Sequence, residues 1–330
     1  MSDWQENLSE ANRAVVVRPG ISPGSDQRVE QRNMLQPDIA DTGVAIVILP
    51  HTDPAAGYVT QFPSVMPAAN WDMHQDFEIG VQLRGARESY YENFQVMTEA
   101  GDVWLHPSWE PHGWRTTVRD ARDLTILFLP DFLGDEEFDG RPWFSLFALP
   151  PRERPLVNDE ATRRQVLSIA DELASEFTHR SPGWLPAARL GVLKLLLTLQ
   201  RGRNVTRASG WSASANRSDL SRILPAIALV RERPGERISL AEAAAACVMG
   251  VTQFRCIFSR TMAVTFGRFA VRARLGHAAR LLIQTDLTVD AVAHAAAFSD
   301  GSHLNAHFRK VYGCTANEYR WRTTDRFASG

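Results

Sequence analysis

The feature that most constrains this chain is a unit written twice near its end. "SLAEAAAACVMGVTQFRCIFSR" (239–260) and "TVDAVAHAAAFSDGSHLNAHFRK" (288–310) each carry a short alanine-rich helix pattern, a turn, and a second helix with apolar residues four apart. Phe254 and Phe258 of the first copy match Leu304 and Phe308 of the second at an offset of 50, and Ala244 matches Ala293 at 49. Ser239 and Glu242 form a capping box, in which each side chain accepts from a backbone N–H that the helix leaves orphaned, so the first helix begins there. Two helices across a tight turn, the second rich in long polar side chains, make a helix-turn-helix pattern. The first helix braces the core and the second offers its exposed face to the major groove of DNA. One alanine-rich hairpin is common in any bundle; two, joined by a helix over 266–284, are far more specific.

Charge supports the same division. From residue 213 onward there are 16 Arg+Lys against 9 Asp+Glu, a balance of +7, whereas the rest of the chain carries −9 and the total is −2. An acidic front joined to a basic back suits two tasks, the second with a polyanion. Nearly all the basicity is arginine, since Lys194 and Lys310 are the only lysines. Hydrophobic content of 44% and charged content of 22% are those of an ordinary globular protein. No apolar run is long enough to span a bilayer, and the N-terminus lacks the basic start and apolar stretch of a secretory signal. Cys247, Cys256 and Cys314 are odd in number and without CxxC spacing, which argues against disulfides and cysteine zinc sites. These features point to the cytoplasm and to no membrane.

Over residues 219–323 the chain resembles the AraC/XylS family of bacterial transcription regulators. The resemblance rests on "FGRFAVRARLGHAARLLIQTDLTVDAVAHAAAFSDGSHLNAHFRKVYGCTANEYR", notably Arg274-Leu275, Ala278, Leu281-Leu282, Ala293, Phe298-Ser299-Asp300, Phe308-Arg309-Lys310, Gly313 and Tyr319-Arg320. It implies two helix-turn-helix units (239–261 and 288–312) held by a linker helix (266–284). They would read two successive major-groove segments of double-stranded DNA, about 10 bp apart. Departures are visible: Val248 and Ala297 stand where the family has turn glycines, Ala263 replaces a post-helix glycine, Ala316 a proline, and Gly250 a serine N-cap. The exposed positions carried over are Thr252, Gln253, Arg255 and Cys256 in the first recognition helix, and Ser302, His303 and Asn305 in the second. Arg255 suits a bidentate contact to guanine, while the short readers of the second helix suit phosphate contact and shape readout. Arg260, Arg268, Arg272, Arg309 and Lys310 are candidate phosphate clamps, each equally readable as a solvated charge. His303 and His307 lie one turn apart, but without a third ligand nearby they read as polar helix surface.

Upstream, residues 1–38 are polar and aperiodic and read as disordered. From 39 to 155 short apolar runs alternate with turn residues: "VAIVIL" (44–49), "FEIGVQL" (77–83), "SYYENFQV" (89–96), "DVWLH" (102–106) and "LTILFL" (124–129). They read as strands of a sandwich or barrel. Residues 156–202 read as two amphipathic helices. Leu190, Leu193 and Leu197 share a face, widened by Leu196 and Leu199, which packs on its own domain or forms a dimer seam. Residues 203–218 read as a linker. The fold class is therefore α+β in two domains: an N-terminal β-barrel or jelly roll with following helices, and a C-terminal all-α double helix-turn-helix.

The strand region is similar to the two cupin motifs, through His74-x-x-x-Glu78 with Gly85, then Gly101, Pro107 and His112. Such a barrel can hold a metal or an organic ligand, and in regulators of this type it implies an effector-sensing domain. His74, Glu78, Trp104, His112 and Trp114 are candidate effector contacts, and Trp71, Phe77 and Trp109 add aromatic material for a pocket or for the core. Asp72, standing where the motif wants histidine, with His74, Glu78 and His112 could bind a divalent transition metal; no cofactor is otherwise implied. Arg84 and Arg87 near the turn read as surface cations, or as contacts to an anionic effector.

The expectation is a non-enzymatic regulator, in the activator direction, binding DNA, a small-molecule effector and, by resemblance, RNA polymerase, as a homodimer. The alternative is a metal-dependent cupin enzyme, an oxygenase or isomerase, with a DNA-binding appendage. Effector, operator and sign of regulation are not legible.

Overall fold

Alternation along β3 (Phe77–Arg84) sets the layering of the N-terminal half. Phe77, Ile79 and Val81 point to one side and Glu78, Gly80 and Gln82 to the other, as successive strand residues must, and all six are buried. The computed structural model describes residues 54–66, 69–91, 94–154, 157, 159–204 and 219–321. The disordered reading of 1–38, the strand at 44–49 and most of the linker at 203–218 fall outside the described residues.

Two four-stranded antiparallel sheets face each other. One has the order β1 (Ala55–Phe62), β8 (Ala121–Phe128), β3, β6 (Val103–His106), and the other the order β2 (Asn70–Asp72), β7 (His112–Thr116), β4 (Ala86–Tyr91), β5 (Phe94–Glu99). "SYYENFQV", expected as one strand, is instead the end of β4 and the start of β5, with Tyr91 paired to Phe94. The short strands β9 (Glu137–Phe138) and β10 (Arg141–Pro142) follow. On its outer side the first sheet lays Phe77 and Phe128 against Trp143 and Phe147, with ring centroids 5.0–6.2 Å apart. Helices α1 (Glu160–His179) and α2 (Trp184–Asn204) cover the same face, and the Phe177 ring sits where a side chain at Gly57 would be. In α2 the buried stripe runs through Val192, Leu195, Leu196 and Leu199, whereas Leu190 is 67% exposed. The leucine face thus packs mostly on its own domain and leaves Leu190 outside.

A buried ion pair fixes the β6–β7 turn. Arg154 donates to both carboxylate oxygens of Glu110 at 2.5 and 2.7 Å and to the carbonyl of Leu105 at 2.7 Å. Burial alone would raise the Glu110 carboxyl, but Arg154 draws its pKa down to about 2.

The C-terminal half is helical: α3 (Asp219–Glu232), α4 (Leu240–Ala246), α5 (Val251–Met262), α6 (Phe266–Gln284), α7 (Val289–Ala295) and α8 (Gly301–Tyr312). Both members of the capping box expected at Ser239 and Glu242 are made. Phe254, Phe258, Phe266 and Phe269 cluster with centroid spacings of 5.3–5.4 Å, clamping α5 to α6. Phe308, Tyr312 and Tyr319 make the equivalent cluster under α8, at 4.9–5.3 Å. The turns keep the left-handed geometry that glycine would supply: φ is +53° at Val248, +52° at Ala263 and +56° at Ala297. A left-handed residue with a Cβ costs roughly 1–2 kcal/mol, and most for a β-branched one.

Two stability measurements follow from these contacts. Val248 is 94% exposed, so Val248→Gly loses no packing and relieves the strain; it is expected to raise unfolding free energy by about 1 kcal/mol after glycine's own entropy cost. Glu110→Gln leaves a buried guanidinium uncompensated and is expected to cost about 3 kcal/mol at neutral pH. Because the native Glu110 pKa lies below its ordinary value of 4.5, its contribution is complete above that pH and fades as pH falls through about 2. Denaturation followed between pH 7 and 2 should show that acid-sensitive part in the wild type and lose it in the variant.

Candidate functional site

In α5 one apolar edge, Phe254, Ile257 and Phe258, is buried, while Thr252, Gln253, Arg255 and Cys256 are exposed side by side. In α8 Leu304 and Phe308 are buried, and Ser302, His303, Arg309 and Lys310 are exposed. Each recognition helix therefore turns its polar face outward, as insertion into a groove requires. Arg268 on α6 is exposed and Arg272 half-buried.

Two expected DNA-facing residues are engaged inside the domain. Arg260 donates to Asp219, whose side chain is 1% exposed, and so joins α5 to α3. The Asn305 Oδ1 accepts from the backbone N–H of Ala316 at 2.8 Å, holding the final helical turn to α8. Neither role was visible in the sequence, because each partner lies on a different element, brought near only by the fold.

The second helix-turn-helix is braced by residues the motif reading passed over. Arg237 and Arg274 both donate to the carbonyl of Ala297, at 2.9 and 2.6 Å, and the Arg274 guanidinium lies 4.9 Å from the Phe298 ring. Asp290 on α7 accepts from the N–H of Gly301 at 2.7 Å, in space that a side chain at 301 would occupy. Asp300 caps the same helix by accepting from His303 N at 2.8 Å. A groove of about 290 Å³ opens beside it, lined by Arg237, Ala270, Arg274, His303 and His307. Burial and the charges of His303, Arg274 and Lys310 push His307 down. The two imidazoles touch through Nε2 at 3.3 Å.

The barrel interior carries the second cluster. Pairing of Glu78 with His106 and of Asp72 with His112 brings residues of both sheets together. The Glu78 Oε2 lies 2.9 Å from His74 Nε2 and 3.4 Å from His112 Nε2, and its Oε1 accepts from Trp104 Nε1 at 2.6 Å. The rings of His106 and His112 stack with centroids 3.8 Å apart. Burial opposes charge on all of them, but hydrogen bonds from His112 and His74 hold Glu78 far below the usual range. Burial also disfavours a charged His74, yet Glu78, Asp72 and Asp76 raise it to about 9. Burial pushes His106 down to about 3 and raises Asp72. Neither ring nitrogen of His106 finds a hydrogen-bond partner, nor does His74 Nδ1. Such a donor set, buried and incompletely bonded, fits a cation.

Of the candidate effector residues, Trp104 is buried and Trp114 half-buried. Arg87, expected near the surface, is buried between them, its guanidinium 3.8 and 4.9 Å from the two rings and 3.3 Å from Asp123. Arg84 stays exposed, as expected. The sequence reading also missed His106; alternation with Trp104 along β6 was the available signal, since both share the inward face.

The two sites touch. Trp109, between β6 and β7, has φ +60° and donates its backbone N–H to His74 O at 2.7 Å. Its ring lies on Gly276 of α6, inside the volume a Cβ would need. Asp72 is near enough to Tyr312 and Tyr319 to raise both phenols further above their already burial-raised values.

Residues 243–322 match the helix-turn-helix domain family. The chain is 22% identical over 277 residues to the melibiose operon regulatory protein of Escherichia coli, covering 78% of this chain and 85% of that protein. It is 28% identical over 105 residues to the HTH-type transcriptional activator RhaR of Mannheimia succiniciproducens, 32% of this chain and 38% of that protein. The fold is similar to that of ToxT from Vibrio cholerae, solved with an unsaturated fatty acid bound, with TM-score 0.52, 11% identity, and 84% of this chain and 99% of that chain covered. With its paired helix-turn-helix units braced on one helix behind an antiparallel β-domain, the chain is similar to the AraC-type transcription regulators.

Proposed function

We propose that the two recognition helices read successive major-groove segments of duplex DNA, and that the barrel senses a small-molecule effector. The observation that carries the reading is the matched exposure of the polar faces of α5 and α8 on a single supporting helix. Thr252, Gln253, Arg255 and Cys256 take the base edges of one segment, with Arg255 suited to guanine O6 and N7. Ser302 and His303 read the other, where short side chains leave more to DNA shape. Arg268, Arg272, Arg309 and Lys310 hold phosphates, while Arg260 and Asn305 serve the domain's own packing.

The barrel suits a sensor because its buried cluster meets the DNA-binding domain directly. The N–H of Trp109 bonds the carbonyl of His74, and its ring rests on α6. A ligand that moves His74 therefore moves a residue seated on the helix that carries both readers. The half-buried Leu193 and Leu197 and the exposed Leu190 on α2 offer a small apolar surface for homodimer contact. The relative named as an activator supports activation, which requires contact with RNA polymerase. No helix among the described residues is by itself long and apolar enough to cross a membrane, which agrees with a cytoplasmic site of action. The regulator reading is favoured over a cupin enzyme because the named relatives are regulators.

Binding of the full chain to its operator should weaken steeply with rising salt, as counterion release demands. Arg255→Ala is expected to lose about 1–3 kcal/mol and to relax preference at one base pair, whereas Arg309→Ala weakens all sequences alike and lowers the salt slope by about one unit. Fluorescence anisotropy against a randomised-site panel separates the two, and an unchanged base preference in Arg255→Ala would remove that residue as a reader. Gly276→Ala should dislodge Trp109 without touching either reading face. Differential scanning calorimetry is then expected to resolve two transitions where the wild type shows one, with operator affinity of the variant held within about threefold, under 1 kcal/mol.

A further inference from the structure

We propose that the groove between α6 and α8 seats one backbone phosphate of the bound duplex on Arg237, Arg274 and His307, and that His307 takes up a proton from solvent as the phosphate arrives. The proposal rests on the DNA-binding reading of α8 and names a backbone contact that reading left out. The polar lining of the groove is Arg237, Arg274, His303 and His307, and no carboxylate lines it. Its α6 wall is open at Gly267, where an added side chain would meet nothing within 4 Å, and the exposed Arg268 follows directly. His303 stands beside Ser302 on the exposed side of α8, so the groove borders the face offered to DNA.

The cations gathered there lack a counter-charge. Arg237 Nε and Arg274 Nη1 donate to the same carbonyl, that of Ala297, which spends one N–H of the five that each guanidinium carries. Burial lowers the Arg274 pKa, and the like charge of Arg237 lowers it further. Among the described residues neither arginine is paired with a carboxylate. Asp300, the acid at the head of α8, is spent on its own helix: Oδ1 accepts from His303 N at 2.8 Å and Oδ2 from Ser299 Oγ at 3.0 Å. Two guanidiniums with N–H groups to spare and no acid beside them suit a phosphate, which takes strong charge-assisted hydrogen bonds from arginine. Contacts of that kind fix the register of a recognition helix on the duplex.

The imidazole pair makes this seat respond to protons. Ser299 gives its hydroxyl proton to Asp300, so its oxygen accepts from His303 Nδ1 at 3.0 Å. That leaves a lone pair on His303 Nε2, which accepts from His307 Nε2 at 3.3 Å. His307 Nδ1 is then the nitrogen open to protonation. In the unbound chain burial lowers the His307 pKa, and the charges of His303, Arg274 and Lys310 lower it further. The charged groups around it are thus Arg274 from α6, His303 and Lys310 from α8, Arg237 across the groove, and Asp300 acting through Ser299 and His303. A phosphate brings the opposite charge and raises that pKa. The complex therefore holds more protons than the free chain, and affinity rises as pH falls through the histidine range.

The test uses the full chain and a duplex recovered from a randomised pool, with affinity read by fluorescence anisotropy at fixed salt from about pH 8 to about pH 6. Affinity is expected to rise on acidification, by at most about tenfold per pH unit for one proton. Calorimetry in two buffers of different ionisation enthalpy should show net proton uptake on binding. His307→Gln is expected to give a flat pH profile, and His307→Arg a profile that is flat but tight at the alkaline end, each with base preference unchanged. His294→Gln, at an exposed position of α7, should keep the wild-type slope. Circular dichroism reports whether each variant is folded, and the wild-type proton count decides the matter without any variant. Absence of proton uptake by the wild type, or an undiminished slope in folded His307→Gln, overturns the proposal and leaves the DNA-binding reading intact. A chain that recovers no duplex from the pool sinks both. Proton uptake on adding inorganic phosphate alone, with none on adding duplex, assigns the groove to a free phosphate ligand and overturns the proposal as well.

Discussion

Helix α6 buries side chains along its whole length and keeps only part of its surface, including Arg268, toward solvent, and everything C-terminal in the molecule is arranged around that fact. Phe266, Phe269, Ala270, Ala273, Leu275, Gly276, Ala278, Ala279 and Leu282 are buried along its length. A helix that is apolar on several sides belongs in a core. Phe254 and Phe258 of α5 pack toward Phe266 and Phe269 at one end; at the other, the carbonyl of Leu282 accepts from Arg320 at 2.9 Å. Two recognition helices fixed to one rod keep a constant separation, which is what allows them to match the repeat of a duplex. Small residues at 270, 273, 278 and 279 keep the buried sides of the rod slim, while Gly276 leaves room for the Trp109 ring.

Much of the helical half was legible because its signals are local. The capping box at Ser239, the four-residue spacing of Phe254–Phe258 and Leu304–Phe308, and the repeat itself need only a short window of sequence. The β-half was less legible for the opposite reason. "SYYENFQV" reads as one run, and only cross-strand pairing shows that Tyr91 and Phe94 face each other on two strands. The strands at Ala55–Phe62, Asn70–Asp72 and His112–Thr116 carry too few apolar residues to stand out; their hydrogen bonds come from distant partners. Arg87 and Arg260 were misjudged alike, since the partner of each, Asp123 and Asp219, lies dozens of residues away.

The barrel places an unusual share of polarity between its sheets. Glu78, Arg87, His106, His112 and Asp123 are nearly inaccessible. Burial and the nearby Glu78 carboxylate bring Asp123 up to about 7 even beside Arg87. Interior charge of this kind is poor at stabilising a fold when compared with apolar packing. The stability of the domain rests instead on the outer side of the first sheet, where Phe77, Phe128, Trp143 and Phe147 interlock beneath α1 and α2. Separating the two tasks leaves the inner face able to carry chemistry that would weaken an ordinary core.

The seating of Trp109 on Gly276 has a bearing on how such a protein can change over generations. A bulky ring held in left-handed backbone geometry and a glycine on another domain form a lock that only works as a pair. Exchange of the β-domain between relatives, or its fusion to a foreign DNA-binding unit, would bring a tryptophan without its notch or a notch without its tryptophan. Joining the β-domain to another DNA-binding unit keeps this seat only where the facing helix residue has no side chain, whereas substitutions on the outer faces of α5 and α8 leave the Trp109–Gly276 contact untouched.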